Sequence, residues 1–150
     1  MKYCLFIAVC FFNSLLYSQA KKNTDSLTYY NKLANSNLSN KKYNQAIFYT
    51  EKSINFCEEN GKKENLANQT FKLGKIYYNQ GKFEDALKNF HKTVSLFDTL
   101  KPSCTKVLAL HYIGAANTAT GDYKTAAVYY TKAADLLKEL NINDNAGILD

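Results

Sequence analysis

Sliding the chain against itself by 40 residues aligns three copies without a gap, and this period constrains the fold more than any other feature. Leu33, Leu73 and Ile113 fall in register, each followed by a small residue: Ala34, Gly74 and Gly114. Tyr43, Phe83 and Tyr123 coincide, then Ala46, Ala86 and Ala126, then Thr50, Phe90 and Tyr130. A unit this short cannot bury its own apolar face, so neighbouring units must stack and share a core.

Each copy reads as helix, tight turn, helix. The second helix of the middle copy carries Ala86, Leu87, Phe90, Val94 and Phe97, the spacing of one helical face. The third copy repeats it with Ala126, Ala127, Tyr130, Ala133, Ala134 and Leu137. Gly81 and Gly121 stand just ahead of these helices, where a positive φ ends the preceding one. Lys41 holds that place in the first copy, with Asn40 beside it as a candidate substitute. Small residues at 74, 86, 114 and 126 allow close helix approach, and Phe83 and Tyr123 are expected to fill the wedge beside the turn. A single proline, Pro102, suits long uninterrupted helices.

The pattern of Leu-Gly, turn glycine, aromatic and alanine resembles the tetratricopeptide repeat family, from Leu27 to about Leu140. The family unit is about 34 residues, so the longer period here suggests extended helices. Asn37 and Asn117 depart from the aromatic usual before the turn, which Tyr77 keeps, and the closing proline is missing. The resemblance implies an all-α fold, a right-handed superhelical stack of antiparallel helix hairpins. The repeats are placed at 27–66, 67–106 and 107–143, after a short segment 21–26. Residues 144–150 are either the start of a fourth repeat or a truncated end.

The resemblance further implies a scaffold that binds a protein or peptide partner in a concave groove lined by the first helices. Carried over position by position, the contact residues are Asn31 and Asn35 in the first copy. The second copy supplies Phe71, Lys75, Tyr78 and Asn79, and the third His111, Ala115 and Thr118. The clamp by which chaperone-tail binders of the family hold a terminal carboxylate is absent. Asn35 matches it, but Asn31, Lys72, Leu108 and Tyr112 stand where other residue types are required.

Catalysis finds no foothold, and no catalytic, metal or cofactor residue is expected. His91 and His111 lie on different repeats, without a His or Cys at i+3 or i+4 to complete a metal pair. Glu58-Glu59 and Glu84-Asp85 are sequence neighbours whose side chains diverge on a helix. Phosphate-binding loops and nucleophile elbows are missing as motifs. All 19 basic residues are lysine and the net charge of +6 is scattered, which speaks against nucleic acid as a partner. Cys57 and Cys104 are expected too far apart along the stack to form a disulfide.

The ends carry expectations of a different kind. Lys2, the apolar run Tyr3–Leu16 and the small-residue site Ser18-Gln19-Ala20 form the three parts of a secretory signal peptide over 1–20. The run is short of the ~20 residues that span a bilayer. Cleavage is expected after Ala20, or after Ser18, giving an exported periplasmic or envelope protein that meets a membrane only through that segment or one further on. Leu136, Leu137, Leu140 and Ile142 are expected to be left exposed on the last helix. A fragment of a longer protein, a covering partner and self-association each account for such a face. Exported repeats of this kind resemble the extracytoplasmic N-terminal region of bacterial sensor kinases and repeat-containing regulators. A stand-alone adaptor in cell-envelope assembly is the alternative.

Overall fold

A computed structural model of the chain describes residues 26–101 and 103–140. Six helices make up the described residues, without a strand: α1 over 26–39, α2 Tyr43–Glu59, α3 Lys63–Asn79, α4 Phe83–Phe97, α5 Cys104–Ala119 and α6 Tyr123–Glu139. The fold is the expected stack of antiparallel hairpins, with α1, α3 and α5 as first helices and α2, α4 and α6 as second helices. The divisions expected at 66/67 and 106/107 fall inside α3 and α5, near their starts. Each helix from α2 onward packs on the next, and α3 also touches α5, whereas no comparable contact joins α2 to α4 or α4 to α6. First helices therefore crowd together on the inside of the curve, and second helices splay on the outside.

Four turns of one geometry set this arrangement. Lys41, Gly61, Gly81 and Gly121 take φ of 56°, 63°, 73° and 86°. The residue after each is held near one conformation, from φ −83°, ψ 68° at Lys42 to φ −85°, ψ 72° at Asp122. Its N–H reaches back across the helix end: Lys42 to the Asn37 carbonyl at 2.8 Å, Lys62 to Cys57 at 2.9 Å, Lys82 to Tyr77 at 3.0 Å, Asp122 to Asn117 at 2.9 Å. Those bonds satisfy carbonyls that a helix end leaves open. The same residue's carbonyl then accepts the first bond of the following helix, as from Ala86 N to Lys82 O at 3.0 Å.

The turn at Gly61 extends the sequence reading, since it joins two repeats by the device that closes each hairpin. Lys41 itself adopts the left-handed conformation, so Asn40 is not the substitute. Among the described residues between Phe97 and Cys104 none takes a positive φ, and a longer stretch of sequence joins α4 to α5.

Glycine on the first helix is required by a ring on the second. A Cβ on Gly74 would lie 2.6 Å from the Phe90 ring, and one on Gly114 would lie 2.8 Å from Tyr130. In the first hairpin the same register holds Ala34 and Thr50, which are 1% and 0% exposed. The first helix keeps a Cβ there because its partner position has no ring. The Thr50 hydroxyl is satisfied within its own helix, donating to the Ala46 carbonyl at 2.7 Å. Asn37 and Asn117 likewise donate one turn back, to the carbonyls of Leu33 and Ile113, both at 2.8 Å.

Two expectations need correction. Phe83 stacks on Tyr78, with centroids 5.5 Å apart, but Tyr123 is 69% exposed. Thr118 occupies the register of Tyr78 in the third repeat, so Tyr123 has no ring to rest on. Leu136, Leu137 and Leu140 are only partly exposed, because they pack on Val107, Leu110 and Ala133. Ile142 lies outside the described residues.

Lys41→Gly should raise stability by about 0.5–1 kcal/mol, seen as a higher denaturant midpoint at unchanged slope. Gly74→Ala should cost about 1–3 kcal/mol by overpacking. Combined with Phe90→Leu, it should cost less than the two single changes summed, a coupling that a double-mutant cycle measures.

Candidate functional site

Successive first helices are stitched directly to one another along the inner face. The Lys72 ammonium donates to Asn31 Oδ1 at 2.8 Å, from α3 to α1. One repeat on, Phe71 and Tyr112 occupy the matching places, their rings 5.7 Å apart and nearly perpendicular at 70°. Thr105 adds a hydroxyl bond to Asn68 Oδ1 at 2.8 Å.

Tyr112 is the hub of the middle of this face. Its ring lies 5.3 Å from Phe90, 5.4 Å from Tyr78 and 6.0 Å from His111. The pairs are tilted or edge-on, the arrangement that ring quadrupoles favour. Lys75 holds its ammonium 5.8 Å above Phe71 and 5.5 Å above Tyr112, in cation–π range of both. Burial pushes the Tyr78 hydroxyl above the ordinary tyrosine range, with the neighbouring Tyr130 and Tyr112 adding to it.

The residues expected to line the groove separate into three kinds. Asn35, Asn79 and Thr118 are exposed, as expected of contact positions. Lys75, Tyr78 and His111 are half-buried and present part of their surface. His111 packs 5.3 Å from Tyr130, and burial holds its imidazole below the usual histidine range. Asn31 is half-buried and Phe71 buried, and both are engaged within the array. The Asn31 amide oxygen is engaged by Lys72, and Phe71 is only 9% exposed, wedged between Phe90 and Tyr112.

In the sequence Tyr112 and Lys72 stand out only as departures from the carboxylate clamp, and a register of 40 does not bring out their contacts. The signal that finds them is an offset of 41 rather than 40. Asn31 meets Lys72 and Phe71 meets Tyr112 at one beyond the equivalent position in the next repeat, and Asn68 meets Thr105 one helical turn earlier, at an offset of 37.

On the outer side, the splay of second helices opens two shallow clefts of about 450 and 430 Å³. They are one feature repeated, since Glu58, Leu66 and Leu96 in one correspond to Asp98, Lys106 and Leu136 in the other. Lys106 is already paired with Asp98 at 2.9 Å. Among the described residues no group of three or more His, Cys, Asp or Glu side chains could hold a metal ion. Cys57 is buried and Cys104 exposed, and both are free thiols. No helix of the described residues is long and apolar enough to cross a membrane, and the signal peptide expected over 1–20 lies outside them.

The stack is similar to solved structures of helical repeat domains. The tetratricopeptide domain of Arabidopsis FLU superposes with a TM-score of 0.72 at 16% identity, covering 78% of this chain and 98% of that one. BtubC from P. vanneervenii gives 0.71 at 18% identity, over 78% of this chain and 48% of that one. The N-terminal domain of the stress-induced protein STI-1 from C. elegans gives 0.65 at 17% identity, over 79% and 94%. At such identities the likeness speaks for the fold alone. No curated protein matches the chain significantly in sequence. The tetratricopeptide repeat model matches residues 64–139, more than half of the chain. With three gap-free copies, glycine-to-ring packing and stacked hairpins already established, that match settles the family: the chain belongs to the tetratricopeptide repeat proteins, whose fold serves in general as a scaffold for protein–protein interaction.

Proposed function

We propose that the face formed by α1, α3 and α5 binds a peptide or protein segment, and that the chain works through this contact rather than by catalysis. The aromatic cluster centred on Tyr112 carries this reading. It joins two repeats, is held by packing before any ligand arrives, and leaves partly exposed ring surface beside the exposed amide of Asn79. Rigid aromatic area costs little conformational entropy on binding, and amides pair with an extended backbone.

The wider context is read from the sequence. The apolar run Tyr3–Leu16 and the site Ser18-Gln19-Ala20 support export to the periplasm or envelope. There the array serves as the partner-sensing region of a longer bacterial signalling protein, a sensor kinase or a repeat-containing regulator.

A photo-crosslinking residue placed at Asn79 or Thr118 should capture a partner in host cells. The same residue at Lys88 or Thr131, on second helices, should capture none of it. Tyr112→Ala should weaken binding of the captured partner by about 2 kcal/mol, measured by calorimetry. Equal capture from both sides of the array, or an unchanged affinity, would remove the inner face from the proposal.

A further inference from the structure

Charge is sorted between the two layers of helices. Among the described residues the first helices carry one carboxylate, Glu64, in the first turn of α3. Every other described carboxylate stands on a second helix or in a turn beside one. Lysines are not sorted in this way, and Lys32, Lys72 and Lys75 stand at inner-face positions. Lys32 and Lys72 are one repeat apart in the same register, and Lys75 follows Lys72 by three residues on the same face of α3.

These inner ammonium groups have no counter-ion in the described residues. The two ion pairs found there, Lys92 with Glu58 at 3.3 Å and Lys106 with Asp98 at 2.9 Å, lie toward the second helices. Lys72 is half-buried and bonds the neutral Asn31 amide, and Lys75 sits over rings. Burial pulls the Lys72 ammonium below the ordinary lysine range. A cation held out of water without an anion is costly, and a ligand carboxylate relieves that cost on binding.

We infer that the inner face selects an acidic segment in extended conformation, with Asp or Glu side chains over Lys72 and Lys75 and an apolar residue on the Tyr112–Tyr78 rings. The inference rests on the peptide-binding reading of this face and adds the ligand's chemistry to it. The acidic groups of the proposal are side chains within the segment rather than a chain terminus, a distinction that amidated C-termini on the test peptides make. Lys32 extends the cationic track toward α1, and the exposed amides of Asn35 and Asn79 flank it for the segment's backbone.

The test is selection of a random peptide library displayed on phage against the whole chain. Binding of the selected peptides, synthesised with amidated C-termini, is then measured by fluorescence anisotropy. Recovered sequences should be enriched in Asp and Glu, and their affinity should fall as salt rises. The double variant Lys72→Gln/Lys75→Gln should weaken them about tenfold or more, whereas Lys88→Gln/Lys124→Gln on the second helices should leave affinity unchanged. Thermal melts accompany each variant. Should the double variant fail to fold, Lys75→Gln alone should still weaken binding several-fold, with Lys75→Arg restoring it. Peptides without acidic enrichment that survive Lys72→Gln/Lys75→Gln, yet are lost in Tyr112→Ala, would overturn the acidic preference and leave the peptide-binding reading standing. Recovery of no peptide sensitive to Tyr112→Ala would overturn both.

Discussion

One turn governs this molecule: a single residue at positive φ, followed by one held near φ −84° and ψ 70°, between two helices. Lys41, Gly61, Gly81 and Gly121 each occupy the first place, 20 or 40 residues apart. Four of the five connections share these dihedrals, so α2, α3, α4 and α6 each leave the preceding helix through the same turn. Repetition of that turn decides which helices end up on the inside of the curve. Packing then fixes the spacing, with Phe90 and Tyr130 laid against bare backbone at Gly74 and Gly114. Curvature, inner face and ring cluster all descend from these local choices.

The site is a product of the same geometry. Crowding of first helices brings Asn31 to Lys72 and Phe71 to Tyr112, contacts that exist only because neighbouring repeats approach on that side. The outer helices separate for the same reason, and their clefts hold mixed charge already partly paired. The Tyr112 ring cluster, with Lys72 and Lys75 beside it, therefore stands on the side where first helices meet, whereas all but one of the described carboxylates stand with the second helices.

Much of this was legible in the sequence, because the repeat is a statement about packing made three times. Leu73-Gly74 and Ile113-Gly114 announce close approach, and the turn glycines announce where helices end. What the sequence hid lies between repeats. The fixed register of 40 aligns equivalent residues, yet the contacts fall at offsets of 41 and 37, so the burial of Phe71 against Tyr112 is not visible in the alignment of copies. Tyr123 shows the converse limit, since its environment depends on Thr118 standing where a ring stands in the repeat before. Lys41 shows that a positive φ can be enforced by its surroundings on a residue that does not favour it.

The longer link between Phe97 and Cys104 gives the array a mechanical grain. Four joints are short elbows, each closed by a backbone bond that reaches back across the helix end. The fifth is a tether, spanned on its outside by the Lys106–Asp98 pair. Across that joint the third hairpin is therefore held by side-chain packing of α5 on α4 and α3 rather than by a shared turn. Phe71 and Tyr112 stand on opposite sides of that joint, so the ring contact between them is one of the ties that hold the third hairpin to the second.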